Sequence, residues 1–256
     1  THRDLDSEDR RQRQMCISDV ICGLHLRNLV FGVGSCKIMR LDLDLGDVEQ
    51  EFIPLIARLV APTLTSLELW FDGRVSSLVH YETLDVFLSQ CSRIRSLRLC
   101  CFQFGDDSTT ITPVMMEGFA RLKQLELMWC RGDVSMFINQ THILNLKELR
   151  YYSHDSAEIS AGVISATAMK YRTITSVFIQ ANLDSSSGLR KIIEYCRGLK
   201  KFSLWKLGGG LVLARSDFEA IASLPRLEYL HLKEFGTLTK DVLSPLKICK
   251  KLKTLH

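Results

Sequence analysis

The feature that most constrains this chain is an apolar skeleton that returns at a near-constant interval. Leu122-Lys123-Gln124-Leu125-Glu126-Leu127-Met128-Trp129-Cys130 reads L-x-x-L-x-L-x-x-C. The same frame is centred on positions 41, 67, 97, 125, 149, 177, 202, 230 and 255, in steps of 26, 30, 28, 24, 28, 25, 28 and 25 residues. Self-similarity at about 20 to 30 residues marks stacked supersecondary units, each packing only on its neighbours. The length of 256 residues therefore measures repeat number, not the size of one globule.

Within each repeat the L-x-L core has the period of a strand, and a segment with helical spacing precedes it. Some of these segments carry start signals. Thr112-Pro113 places a capping hydroxyl before a proline suited to the first helical turn, and Ser216-x-x-Glu219 reads as a capping box ahead of Phe218 and Ile221. Asp47 precedes a helix over Val48 to Leu59, which Pro54 is expected to kink or delay. Six residues before each centre stand Ala61, Cys91, Phe119, Ile143, Tyr171, Cys196, Leu224 and Cys249, an interior position by their apolar character. Residues 1–14 mix four acids and four arginines with a single leucine, so they form a polar N-terminal extension that cannot bury a face. Residues 15–256 make the repeat domain of about nine repeats, with Met15 to Val30 a degenerate first unit and the last repeat cut off at Leu255. The missing initial methionine and that cut suggest a longer natural protein.

These residues resemble leucine-rich repeats across about 35–256, and within them the cysteine-containing, ribonuclease-inhibitor-like subtype found in F-box proteins. Cys91, Cys196 and Cys249 before the strands and Cys130 and Asn182 after them carry the subtype. Asp72, Phe102, His154, Leu207 and Phe235 depart from its asparagine-or-cysteine position, so no ladder of side-chain amides is expected. The resemblance implies an α/β leucine-rich-repeat solenoid, a horseshoe with a concave parallel β-sheet and convex helices. It also implies the substrate-recognition part of an F-box type subunit of a cullin-RING (SCF) ubiquitin ligase. The chain contains no F-box, so a cullin adaptor would engage only through a module outside it. Two alternatives stand beside this: a free-standing scaffold or sensor, and a GTPase-activating repeat protein in which Arg74, in an early strand-to-helix loop, would be the important arginine.

Strands stack about 4.8 Å apart whereas packed helices need about 8 to 10 Å, so such an array curves with its sheet on the inner wall. The leucines of L-x-L face the core and the residues between them face the concavity. This assigns as partner-binding candidates Glu68, Trp70, Arg98, Glu126, Met128, Arg150, Tyr152, Phe178, Trp205, Tyr229, His231 and Lys233. The early end reads as acidic and the later end as aromatic and basic. Aromatic residues and arginine dominate binding hot spots, so a protein partner is expected across Tyr152, Phe178, Trp205 and Tyr229. The competing expectation is that these side chains cover one another.

No motif for chemistry emerges. Gly208-Gly209-Gly210 and Gly32-Val33-Gly34-Ser35 do not make a phosphate-binding loop. The nine cysteines include no C-x-x-C pair, and His142, His154 and His231 lack ligand or nucleophile spacing. No catalytic residue, metal or cofactor is therefore expected. A net charge of +4 does not by itself argue for nucleic acid, and no apolar run approaches the ~18 residues of a membrane span. The expectation is a monomeric repeat domain. Unclustered cysteines fit a cytoplasmic or nuclear setting, the Asn139-Gln140-Thr141 sequon notwithstanding.

Overall fold

A computed structural model describes residues 38–256 apart from 47, 72–76, 105–110, 133, 142, 144, 154–156, 184 and 209. The polar extension, the degenerate first unit, Asp47, Asp72, Arg74, His142 and His154 lie outside the described residues.

Nine strands form one sheet in sequence order: β1 Arg40–Asp44, β2 Ser66–Trp70, β3 Ser96–Cys100, β4 Gln124–Met128, β5 Glu148–Tyr152, β6 Ser176–Asn182, β7 Lys201–Gly208, β8 Tyr229–Lys233 and β9 Thr254–Leu255. Every neighbouring pair is parallel, and the register sets each repeat centre beside the next, from Leu41 through Leu67, Leu97, Leu125, Leu149, Val177, Phe202 and Leu230 to Leu255. From Leu41 to Leu230 these centres are almost wholly buried, while the residues between them alternate outward. The periodicity thus becomes a layered core in which one leucine row stacks on another. No described helix is long and apolar enough to cross a membrane.

The crossovers are helical: α1 Ile53–Val60, α2 Ser77–Gln90, α3 Pro113–Ala120, α4 Val134–Gln140, α5 Ala157–Lys170, α6 Ser187–Tyr195, α7 Arg215–Ala222 and α8 Lys240–Leu243. Their starts follow local chemistry. Thr112 Oγ1 accepts from Met115 N at 3.1 Å, with Pro113 in the first turn. Pro54 delays α1: the chain makes a 3-10 turn over Gln50–Phe52 before the helix begins at Ile53. The expected box at Ser216 is corrected. Helix α7 starts two residues earlier, with Ala214 as its N-cap, and Asp217 Oδ2 accepts from Ala214 N at 2.9 Å, because this carboxylate is buried and held by Arg190 at 3.0 Å.

The interior position six residues before each centre has a second task. The thiols of Cys91, Cys196 and Cys249 approach the carbonyls of Ala57, Ala168 and Ala222 at 3.6, 4.0 and 3.7 Å. Tyr171 donates likewise to Ile138 O at 3.2 Å. Each carbonyl belongs to the last turn of the preceding repeat's helix, where intrahelical donors become scarce; those of Ala57 and Ile138 also accept locally, from Ala61 N and Thr141 Oγ1. After the strands, rings occupy the place of an amide ladder. Phe102 packs against Phe71 at 5.0 Å, Tyr81 at 5.3 Å and Phe104 at 4.8 Å between centroids, and Phe104 continues to Phe137 at 4.5 Å.

Candidate functional site

The register aligns the outward residues into rows, and the central one runs Asp42, Glu68, Arg98, Glu126, Arg150, Phe178, Ser203, His231. Its first half is an ion-pair ladder. Glu68 accepts from Arg98 Nη1 at 2.9 Å, from Arg40 Nη2 at 3.2 Å and from Trp70 Nε1 at 2.8 Å. Arg98 Nη2 reaches Glu126 at 3.1 Å. Arg150 turns within its own strand to Glu148, Nε to Oε1 at 2.7 Å. Burial opposes the charge on Arg98, yet Glu126 and Glu68 more than offset it and hold its pKa above the ordinary value. Burial, then the charge of Glu126, raises the pKa of the Tyr152 phenol. The early end is therefore not simply acidic: interleaved arginines neutralise its carboxylates, and Glu68 is only 7% exposed. These side chains line a cleft of about 430 Å³ along β1 to β5.

The second half differs. Tyr152 and Phe178 sit on adjacent strands with ring centroids 4.9 Å apart. Lys233 Nζ lies 3.6 Å over the Trp205 ring, a cation–π pair. Tyr229, His231 and His256 form a triangle with centroid separations of 6.4, 5.9 and 5.8 Å, and Ser203 Oγ stands 3.2 Å from His231 Nδ1. All these rings remain partly accessible.

The structure thus divides the twelve candidates. Glu68, Arg98 and Glu126 are engaged with one another, Trp70 with Glu68, Arg150 with Glu148, and Met128 lies 3.8 Å from the Cys100 thiol. Tyr152 with Phe178, Trp205 with Lys233, and Tyr229 with His231 gather in pairs on β5 to β8. Sequence reasoning missed Trp129. It follows β4 in a left-handed conformation at φ 53°, is 40% exposed, and its ring centroid lies 6.2 Å from that of Trp70. Cys101 and Glu234 take the same conformation at the same repeat position, φ 55° and 68°. That recurrence turns the side chain after the strand onto the rim, a signal visible only once backbone angles are known.

No protein-family model and no curated protein sequence matches the chain. Solved structures do. Rad7 of yeast, in its complex with Elc1, matches with a TM-score of 0.56 at 13% identity, over 92% of this chain and 60% of that one. TLR13, in a complex with ssRNA13, matches with a TM-score of 0.47 at 16% identity, over 92% of this chain and 30% of that one. The chain thus spans less than two thirds of the Rad7 chain. With the in-register parallel sheet, the Rad7 likeness shows the fold: an α/β leucine-rich-repeat solenoid with the sheet on the concave side and the helices on the convex side.

Proposed function

We propose that the chain is a protein-recognition module, of the cysteine-containing repeat subtype, that holds its partner on the later half of the concave face. The observation that carries this reading is the contrast between the two halves of one sheet. On β1 to β4 the arginines and glutamates pair with one another, with Asp44 outside the ladder, whereas β5 to β8 present rigid rings with Lys201 and Lys233 to solvent. Such amphipathic rings supply large contact area with few torsions to freeze, the composition of binding hot spots. The resemblance to F-box repeat proteins, together with the likeness to Rad7 in its complex with Elc1, supports a role as the substrate-recognition part of an F-box type subunit of a cullin-RING ubiquitin ligase. In that role the chain presents a target and catalyses nothing.

Two experiments test the two levels. Affinity capture of the full-length protein should recover a cullin adaptor together with a target, and a capture free of any ligase component refutes the ligase role. Phe178→Ala with Trp205→Ala should release the target and leave the adaptor bound. Unchanged target binding by that folded variant refutes the concave assignment.

A further inference from the structure

The backbone ladder starts one residue before the strands. The N–H groups of Lys123, Lys147, Thr175 and Lys200 donate to the carbonyls of Arg95, Lys123, Lys147 and Thr175 at 2.8, 2.8, 2.9 and 2.8 Å. The position two before each centre is therefore an in-register row along one margin of the sheet, and in the middle repeats it is mostly cationic. At about 4.8 Å per rung the row from Arg95 to Lys200 spans about 19 Å.

This margin lines a cleft of about 530 Å³ whose cations are Arg95, Lys123, Lys147, Arg150, Lys200 and Lys201. Its one acid, Glu148, is already held by Arg150 at 2.7 Å and Gln124 at 3.3 Å. Arg95 is fixed by its own backbone, donating to Ser92 O and Ile94 O at 3.0 and 2.8 Å. Among the described residues Lys123, Lys147, Lys200 and Lys201 make no ion pair, and all four are exposed. The concave ladder was self-neutralised; from Arg95 to Lys200 this margin is not, and the acid that follows in the row, Glu228, is held by Lys253 at 2.8 Å while also lying within electrostatic reach of Lys200. Ser96 and Ser176 add hydroxyls to the same cleft.

We propose that this margin docks an acidic peptide segment of a protein partner, extended across the strands from β3 to β7. At about 3.3 Å per residue, some six residues cover the row, and long lysine arms absorb the mismatch between peptide and rung spacing. Charge complementarity selects the occupant, and the lining selects its class. Single-stranded nucleic acid is held by aromatic platforms beside the cations, and among the described residues no aromatic side chain lines this cleft. Tyr152 stands at the far end of its strand from Glu148. Carboxylates, which need only point charges and hydroxyl donors, match what is present. The inference concerns a surface separate from the aromatic one and holds whether or not the ligase reading does.

The test is fluorescence anisotropy with a labelled peptide of alternating Glu and Ser, with its Lys-for-Glu counterpart and a labelled oligouridine as parallel arms. The Glu peptide should bind, and weaken as salt is added. Lys123→Glu with Lys147→Glu should weaken it about tenfold or more, since two attractions become repulsions. Lys240→Glu with Lys247→Glu, which changes net charge equally on exposed residues away from the cleft, should leave binding unchanged. Lys123→Ala with Lys147→Ala gives a milder loss and serves if the reversal disturbs folding, as judged by circular dichroism. Absence of peptide binding at low salt, equal losses for the two Glu pairs, or tighter binding of oligouridine than of the Glu peptide would each overturn the proposal.

Discussion

Glu68→Gln isolates the ion-pair ladder, because it preserves the side chain's shape and the oxygen that accepts from Trp70 while removing the charge shared by two arginines. The Arg40 side chain is 55% exposed, so its pair with Glu68 contributes on the order of 0.5 kcal/mol. Arg98 is different: its side chain is 31% exposed and that of Glu68 9%. This pair lies between exposed pairs, worth about 0.2–1 kcal/mol, and buried ones, where loss of one partner costs about 3–5 kcal/mol. The expected destabilisation is therefore about 2 kcal/mol. Glu148→Gln provides the comparison, because the side chains of its pair with Arg150 are 46% and 24% exposed, and its cost should be about 0.5 kcal/mol. Urea unfolding at constant m-value measures both. A double-mutant cycle of Glu68→Gln with Arg98→Met should return a coupling of about 1–2 kcal/mol. If Glu68→Gln costs no more than Glu148→Gln, or the cycle returns no coupling, the ladder does not stabilise the sheet and the division of the concave face loses its basis.

Three further outcomes are expected. Phe102→Ala should cost about 3–5 kcal/mol in urea unfolding, since the ring is fully buried among Phe71, Tyr81 and Phe104. Gly132→Ala should cost more than about 3 kcal/mol, because the residue sits at φ 83° and a Cβ there would lie 2.0 Å from the Phe104 carbonyl oxygen; soluble expression and melting temperature report it. Burial pushes the thiols of Cys91 and Cys196 up to about 11 from an ordinary 9, and the Tyr171 phenol up to about 12 from an ordinary 10. Raised values favour the protonated fold, so this stability is complete below about pH 9 and fades as pH climbs toward 11 and 12. Urea midpoints should fall over that range, and Cys91→Ala with Cys196→Ala should flatten the slope.

The solenoid was legible because Leu41, Leu67, Leu97 and their successors repeat a constraint that each rung reimposes: one face buried, one face out. Local signals were legible where the tertiary contact agrees with them, as at Thr112, whose hydroxyl caps its helix and also donates to Asp85 of the preceding repeat, and misled where a tertiary contact decided otherwise. Ser216 lost its capping role to Asp217 because Arg190, 27 residues away, holds that carboxylate. The concave candidates could be named from alternation, yet which of them neutralise one another required register. Arg98 between Glu68 and Glu126 is a statement about neighbouring repeats, and no single repeat contains it. The lysine margin escaped for a related reason. Lys123, Lys147 and Lys200 lie just outside the L-x-L frame, and their alignment rests on backbone bonds between strands. Trp129 required a left-handed angle that its sequence does not announce.

The thiols and phenol that reach back to the previous helix give the array a direction in time. Cys91 meets a carbonyl 34 residues earlier, Tyr171 one 33 earlier, Cys196 one 28 earlier and Cys249 one 27 earlier. On a nascent chain these thiol and phenol contacts cannot form until roughly one more repeat has been synthesised, although Ala57 O already accepts from Ala61 N and Ile138 O from Thr141 Oγ1 within their own repeat. The newest unit is then always the unfinished one, and translation itself sets the order in which the joints close.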